Sequence, residues 1–306
     1  MTNHPDPSHS APEKPRMPAS EWPTWVLIVV VYGGWWLTLA LADQLPVWVF
    51  LPLLVFLLAL HSSMNHELIH CHPTRNAKLN DFMAYPPLAL LYPYPLFKVT
   101  HLQHHRDEDI TYPGIDPESF FITHAHWEEL NRFQKALAWV NMTLAGRFLL
   151  FPARATISMS LEAIKSIFRR DEDASMWLIH LTLVTVILLL VTRVFQVDLW
   201  LYLIAAYFSQ SMILIRSFFE HRPVERVSGR IVIQDAGLLF RLLYLNNNYH
   251  LVHHQHPGLP WFAIPAEYRA NKAWYLKEND GYHYPGYFAW LRYLFRPIHA
   301  PRHPWK

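Results

Sequence analysis

The stretch "LPVWVFLPLLVFLLALHSSMNHELIH", from Leu45 to His70, joins a long apolar run to a pair of histidines, and it is uncharged up to His66. A membrane-crossing helix needs roughly 20 predominantly apolar residues. Residues four apart share one face of a helix, so His66 and His70 would project together. The stretch therefore predicts a membrane helix that carries an imidazole-lined site at one end.

Three further apolar runs have a similar length, namely Thr24–Ala42, Met176–Thr192 and Leu199–Ile215. Two short connections, Asp43–Gln44 and Arg193–Asp198, join the four runs into two pairs. Hydrophobic residues make up 52% of the chain and charged residues only 16%, which is below the charged quarter (about 25%) of soluble domains. We therefore expect an all-α integral membrane protein. Its four transmembrane helices would form two hairpins beneath a cytosolic, histidine-rich helical cap.

The basic residues predict the orientation of these hairpins. Of the 26 Lys and Arg residues, only Arg193 lies in a connection within a hairpin. Because basic residues are retained on the cytoplasmic side of membranes, both hairpins should enter from the cytosol and return to it. Both termini and the histidine-rich segments would then be cytoplasmic, and a bacterial inner membrane is the expected location.

Two segments between the hairpins have less regular patterns. Residues 86–97, "PPLALLYPYPLF", are apolar but too short to cross and are interrupted by prolines, which favours a re-entrant or interface-lying segment. Residues 127–170 mix large apolar side chains with regularly spaced Lys and Arg. This pattern is typical of amphipathic helices on a membrane surface, although an ordinary packed pair of cytosolic helices fits equally well.

Nine of the twenty histidines fall into groups with helical spacing. They are His66 and His70; His101, His104 and His105; His221; and His250, His253 and His254. The predicted topology places all nine on the same side of the membrane. Nine imidazoles exceed the ligands that one metal ion accepts, so two ions with four or five ligands each are expected. Imidazole suits iron, copper, zinc and nickel, and the ligand type alone does not identify the metal.

Several polar neighbours of these groups are candidate partners for the ring N–H groups of the ligands. The candidates are Glu67, Asp109, Glu220, Asn246 and His61. Each acidic one has an alternative interpretation as a charged residue at a helix end facing water, and His61 has an alternative as a further metal ligand. The single cysteine, Cys71, is expected to be a lone packed thiol, because thiolate zinc sites usually have paired cysteines.

The motifs HELIH (66–70), HLQHH (101–105) and HLVHH (250–254), with the additional His221, resemble those of the membrane fatty-acid desaturase and hydroxylase superfamily. The resemblance implies a non-haem di-iron site that uses O2 and two electrons to remove hydrogen from an unactivated alkyl carbon. It further implies a lipid or acyl substrate. A separate ferredoxin, rubredoxin or cytochrome-type donor with its reductase would supply the electrons. No nucleic acid partner is expected.

With this resemblance, the chain divides into three parts. Residues 1–20, rich in proline and polar residues, are expected to be a disordered cytosolic tail. Residues 21–257 would form the membrane desaturase-like domain, and residues 258–306 a cytosolic C-terminal extension.

The sequence departs from the family pattern near the lone histidine. Some desaturases have an asparagine one helical turn before it, and Ser217 occupies that position here. Asn246, one turn before His250, is a candidate substitute that would complete the metal shell. The alternative is that the Asn246–Asn248 run caps the following helix, a use that asparagine favours.

The favoured reaction is desaturation of a long-chain fatty acyl lipid. The alternatives are a hydroxylase or ketolase of a lipid, alkane or carotenoid. A remote alternative is an intramembrane zinc metalloprotease in which HELIH binds zinc and Glu67 is the general base. The extended peptidase motif requires glycine at position 73 and histidine at 76, where Pro73 and Asn76 stand. A metal transporter or store is disfavoured because its metal-binding residues would lie within the spans.

A set of basic residues is a candidate docking surface for an acidic electron carrier. They are Arg75, Lys78, Arg222, Arg226 and Arg230. The same residues would equally serve membrane orientation or bind anionic lipid.

Overall fold

The computed structural model describes residues 11–306, and its secondary structure is almost entirely helical. The predicted tail falls partly outside the described residues, since only its residues 11–20 are described, and these contain no helix or strand. The helices are α1 (Trp22–Ala40), α2 (Val47–Ile69), α3 (Ala77–Ala84), α4 (Tyr94–His104), α5 (His124–Glu129), α6 (Arg132–Asn141), α7 (Leu144–Leu149), α8 (Phe151–Arg169), α9 (Ala174–Leu189), α10 (Leu199–Glu220), α11 (Leu238–Leu243), α12 (His250–Gln255) and α13 (Ile264–Glu278).

Shorter elements complete the description. A π-helical turn, Leu190–Val194, extends α9, and short 3-10 helices occupy Asp107–Asp109, Ser228–Arg230 and Tyr287–Tyr293. Two short strands, β1 (Ile233–Gln234) and β2 (His283–Tyr284), pair in parallel.

Four helices are long and apolar enough to cross a membrane: Trp22–Ala40, Val47–Ile69, Ala174–Val194 and Leu199–Glu220. They confirm the four predicted spans. Two of them continue past the predicted apolar runs, since α2 extends to Ile69 and α10 to Glu220. The added segments include buried polar residues, such as His66, Glu67 and Glu220. The arrangement as hairpins entering from the cytosol stays a prediction.

The four candidate membrane helices share one apolar core. Trp35 of α1, Leu54 of α2, Val191 after α9 and Tyr202 of α10 are all buried in the same cluster. The helix α2 lies between α1 and α10 and contacts both. Because α2 and α10 are neighbours, the histidines at or just beyond their ends are brought close to one another.

The proline-interrupted segment before α4 packs into this core. The Tyr202 hydroxyl donates to the Leu88 carbonyl (2.8 Å) and accepts from Trp35 Nε1 (3.0 Å). His180 Nε2 donates to the Leu90 carbonyl (3.0 Å). Irregular backbone is tolerated at membrane depth only where protein groups satisfy it. These contacts therefore favour the re-entrant interpretation.

Helix α8 has an apolar side that no other described element covers. Ile157, Leu161, Ile164 and Phe168 are all exposed and recur at helical spacing, whereas Ala155, Ala163 and Ser166 face the protein. A helix with this division suits the plane of a membrane interface. The pattern favours the membrane-surface interpretation over a packed cytosolic pair.

The C-terminal residues fold back onto the rest of the chain. The Ile298 N–H donates to the Met142 carbonyl (2.9 Å), and the His303 N–H donates to the Ile122 carbonyl (2.9 Å). Residues 298–303 are therefore held against the end of α6 and the segment before α5.

Candidate metal centre

Four pieces of the chain bring histidines to one place. His66 lies on the last turns of α2, and His70 ends that helix. The second box lies at the end of α4, and His221 directly follows α10. Helix α12 carries the last box and is buried among these elements. The short α12 is thus the element that closes the site.

The first group consists of five histidines whose candidate ligand atoms lie within 4.8 Å of one another. Its Nε2 atoms approach closely, at 3.0 Å between His70 and His101, 3.1 Å between His101 and His105, and 3.0 Å between His105 and His253. The fifth member, His66, is buried, and its Nε2 has no hydrogen-bond partner. All five rings therefore direct nitrogen atoms at one small space.

The second group consists of four histidines arranged in the same way. The Nε2 atoms are 3.1 Å apart between His104 and His221, 3.1 Å apart between His221 and His250, and 3.2 Å apart between His250 and His254. The two groups adjoin, because the rings of His105 and His254 stack with centroids 4.4 Å apart. The structure thus brings together all nine histidines that the sequence singled out.

These spacings also lie in the hydrogen-bond range, but His101 Nε2 approaches two other Nε2 atoms, and so does His250 Nε2, as expected of rings that share one ion. Two nitrogens that each bind one ion at about 2.1 Å are roughly 3.0 Å apart at a right angle and roughly 3.4 Å apart at a tetrahedral angle. The observed 3.0–3.2 Å matches the right-angled case. Five ligands in the first group also exceed the four of tetrahedral zinc. The donor set therefore suits a five- or six-coordinate ion that accepts imidazole, such as iron.

Two carboxylates fix the orientation of ligands on α4. His101 Nδ1 donates to Glu118 Oε1 (2.9 Å), and His104 Nδ1 donates to Asp116 Oδ1 (2.9 Å). Because each Nδ1 carries the proton, the Nε2 lone pair is available to a metal. Donation of that proton to a carboxylate also raises the basicity of the ring. The sequence interpretation missed both acids, because they lie 17 and 12 residues beyond their partners and share no helix with them.

Burial and the neighbouring rings determine the charge of the ligands. Burial lowers the pKa of His253, and the adjacent His66 and His70 lower it further. His104 is different, since burial would lower its pKa but Glu118 and Asp116 raise it to about 9. A neutral imidazole is the metal-binding form, and the two carboxylates favour the protonated form of His104 instead.

The asparagine prediction is wrong in detail. Asn246 does not face the histidines, because its Oδ1 accepts from Arg241 Nε (2.9 Å) and its Nδ2 donates to the Trp261 carbonyl (2.9 Å). Its neighbour Asn247 accepts from His250 Nδ1 (3.0 Å) instead. Leu245 and Asn246 both have a left-handed backbone (φ 49° and 58°), so the chain before α12 is not helical and helical spacing does not apply there. The capping alternative fails as well, since α12 has no side-chain cap.

Glu67 and Glu220 are near ligands without bonding to them. Each has a carboxylate oxygen 3.7 Å from an imidazole Nδ1, of His66 and of His250 respectively, which is too long for a hydrogen bond. Glu67 instead accepts from the Trp261 N–H (3.0 Å), and Glu220 pairs with Arg216 (2.7 Å). These acids anchor the surrounding structure and do not fix ring orientation.

The other candidates lie outside both groups. His61 is buried with its ring against Tyr32, centroids 5.9 Å apart. Asp109 lies in a 3-10 turn, and none of the described side-chain contacts joins it to a ligand. Cys71 is exposed and belongs to neither group.

The structure leaves only part of the predicted basic docking surface exposed and unpaired. Arg230 is only 3% exposed, and its guanidinium donates to the Glu108 and Ile110 carbonyls. Arg226 is paired with acidic residues of the C-terminal segment, and Arg222 donates to a backbone carbonyl. Of the five residues, Arg75 and Lys78 remain exposed without a described ion pair. Arginine folds into the structure here because its planar fork satisfies buried carbonyls.

A cavity of about 530 Å³ borders the site. His66 and His101 of the first group and His221 of the second line it. Most of its other walls are apolar, including Leu90, Phe97, Leu214 and Met159. A cavity of this size and lining suits an apolar small molecule. His299, which the sequence gave no role, also lines it.

Fold and site together define a class, that of helical membrane proteins built around clustered histidine ligands. A family model described as Fatty acid desaturase matches residues 44–288, and the chain belongs to this family. The match spans all nine histidines and confirms the resemblance seen in the sequence. Membership makes the chain an integral membrane oxidoreductase of the desaturase or hydroxylase type, with a lipid substrate. No curated protein matches the chain.

Proposed function

We propose that the chain is an O2-dependent di-iron oxidoreductase that desaturates a long-chain fatty acyl lipid. The observation that carries this proposal is the division of nine buried imidazoles into two adjoining groups of five and four. Each group has the ligand number and spacing for one iron ion. Hydroxylation or ketolation of a similar chain is the second candidate, because both reactions need the same ligands.

The histidines would hold the irons, and the pair would supply the oxidising power that removes hydrogen from an unactivated CH2 group, which protein side chains lack. Asp116 and Glu118 keep the Nδ1 protons of His104 and His101, so that Nε2 of each ring stays available. Asn247 does the same for His250.

The cavity positions the substrate. His66, His101 and His221 form part of its wall, so an apolar chain in the cavity lies beside both groups. Phe97 and Leu214 on the same walls exclude water from the reacting carbons, which protects a strongly oxidising site from side reactions.

The zinc metalloprotease alternative has little support. The HELIH histidines belong to a group of five that includes three histidines outside the motif. A catalytic zinc takes three protein ligands and a water, fewer than the five that this group offers.

We further propose that electrons come from a separate ferredoxin, rubredoxin or cytochrome-type carrier. Arg75 and Lys78, exposed near the end of α2, are the part of the predicted basic surface that remains available to an acidic protein. The cytoplasmic placement of both termini and of the metal site, in a bacterial inner membrane, belongs to the same proposal.

Metal content and product analysis test the proposal. The purified protein should hold about two irons, one for each group. Membranes given acyl lipids and O2 should yield products that have lost two hydrogens, whereas products that gain one oxygen would assign the hydroxylase reaction. One zinc per chain, or no oxygen-dependent product with any acyl lipid, would refute the di-iron assignment.

Single substitutions test the ligand assignment. Replacing His104 or His254 by alanine should abolish iron binding at the second group and all activity. The matched control is His126→Ala, because His126 is exposed on α5 and lies outside both groups. Equal effects of the three substitutions would contradict the assignment. His299 is unsuitable as a control, since it lines the cavity.

A further inference from the structure

Arg147 is a buried cation without an acidic partner. Its side chain lies on α7, the residue is 2% exposed, and none of the ion pairs in the described part of the chain includes it. Its Nε donates to the Asn141 carbonyl (2.8 Å), and its Nη1 is buried with no hydrogen-bond partner. Buried charges are normally paired, because desolvation of an isolated ion is very unfavourable. A buried guanidinium without an acidic partner therefore points to a binding site for an anion.

Aromatic rings hold the guanidinium in place. Its central carbon lies 3.3 Å from the centroid of the Phe120 ring and 5.7 Å from the centroids of Phe151 and Phe218. Such rings attract a cation through their quadrupoles, but they carry no net charge. They fix the orientation of the fork without neutralising it.

The guanidinium keeps its charge at neutral pH. Burial lowers the pKa of Arg147, and the neighbouring Arg154 lowers it further, to about 9. Even at this value the group is almost fully protonated at pH 7.

Arg147 lines the same cavity as the histidines. One segment connects the two places, since Glu118 holds His101 and Phe120, two residues later, covers Arg147. On α10, Phe218 near Arg147 precedes the ligand His221 by three residues. The cation and the metal groups are therefore parts of one continuous pocket.

A second polar group faces this end of the cavity. His299 lines it, and its Nε2 is buried with no hydrogen-bond partner. Its ring lies 6.0 Å from that of Phe121, the residue that follows Phe120 in the chain. Burial lowers the pKa of His299 to about 4, with smaller contributions from Arg222 and Arg147. The ring is thus neutral at pH 7 and can donate one hydrogen bond.

We propose that Arg147, assisted by His299, binds an anionic oxygen group, a carboxylate or a phosphate, at the end of the apolar chain that fills the cavity. That the bound molecule is the substrate rests on the proposed function. The substrate class is then an amphiphile with a charged end, and a neutral hydrocarbon such as an alkane or carotenoid is disfavoured. The planar fork of arginine suits bidentate binding of either anion.

Ligand binding to the iron-free protein in lipid nanodiscs tests this subsite without using activity. Palmitate, hexadecyl phosphate and hexadecanol would each displace a fluorescent acyl probe. We expect at least one of the two anions to bind more tightly than hexadecanol, and the tighter anion identifies the group. Arg147→Gln should weaken binding of that anion by about 30-fold or more, the usual loss when one partner of a buried charge pair is removed. The same substitution should change the affinity for hexadecanol by no more than about threefold.

Controls separate binding from a structural role. Arg132→Gln removes an exposed arginine on the adjacent α6 that does not line the cavity, and it should leave all affinities unchanged. Arg147→Lys retains the charge without the fork, so anion binding should be partly retained. His299→Ala should weaken anion binding by a smaller factor.

Two results would overturn the subsite. One is that Arg147→Gln weakens the binding of hexadecanol and of both anions equally, which would indicate a purely structural arginine. The other, which needs no variant, is wild-type protein that binds hexadecanol as tightly as both anions. Because the assay contains neither iron nor O2, failure of the di-iron proposal would leave its outcome unchanged.

Discussion

Replacing Asp116 by asparagine is the sharpest test of the metal centre. Asp116 is 4% exposed and accepts three hydrogen bonds. Its Oδ1 accepts from His104 Nδ1 and the Glu118 N–H, and its Oδ2 accepts from the Thr111 N–H, all at 2.9 Å. Asparagine has a single acceptor oxygen and an NH2 group that only donates. In one rotamer the asparagine NH2 group faces the Thr111 N–H, and in the other it faces His104 Nδ1–H and the Glu118 N–H. Either way, a donor meets a donor.

The size of the effect on metal affinity or on folding stability depends on which hydrogen bond of Asp116 is lost. Loss of the hydrogen-bond partner of a ligating histidine lowers metal affinity by about 10–100-fold, or about 1.4–2.7 kcal/mol. The effect should be confined to the second group, because Glu118 still holds His101 in the first. If the Thr111 N–H is left unsatisfied instead, the fold loses about 1–3 kcal/mol of stability.

The assay is iron content after equilibration against a graded series of chelator concentrations. The wild type should retain two irons where Asp116→Asn retains one, and Glu118→Gln should weaken the first group instead. Asp109→Asn is the matched control, since none of the described side-chain contacts joins Asp109 to a ligand. Unchanged iron affinity in Asp116→Asn, with the iron-free protein equally stable, would refute the role assigned to this carboxylate. So would equal loss at both groups.

Three further outcomes are expected. Tyr202→Phe removes the hydroxyl that joins Trp35 to the Leu88 carbonyl, and it should destabilise the protein to thermal unfolding by about 1–3 kcal/mol; an unchanged melting temperature would show that the re-entrant segment does not depend on this link. The single, exposed Cys71 should react with a membrane-impermeant maleimide in inverted bacterial vesicles but not in intact spheroplasts, and the reverse pattern would contradict the cytoplasmic orientation. Chelation should lower the melting temperature, and added Fe(II) should restore it, because metal binds the folded state; a melting temperature independent of metal would contradict a metal site formed by folding.

The sequence identified the candidate spans and the clustered histidines because both depend on local patterns. An apolar run of span length is a property of consecutive residues, and the four candidate membrane helices lie where such runs were found. Histidines three or four apart share a helix face wherever the helix is placed. For that reason the nine histidines were identifiable before any contact between boxes was known.

Some errors came from extending local rules to contacts that folding decides. A charged residue in a polar stretch is usually exposed, yet Arg230 is buried because distant carbonyls lie within its reach. Asn246 was placed by helical spacing, but Leu245 and Asn246 are left-handed, so that spacing does not hold there and Asn247 makes the contact with His250.

The sequence by itself determined which elements cross the membrane and which residue types converge. Tertiary structure alone decided the partition of the ligands, which sends the adjacent His104 and His105 to different groups. It also decided the pairing of Asp116 and Glu118 with their histidines, and the burial of Arg147 without a counter-ion. The physical reason is that successive residues of a helix point about 100° apart. Which group a side chain joins therefore depends on the elements packed around the helix, which the sequence of that helix does not encode.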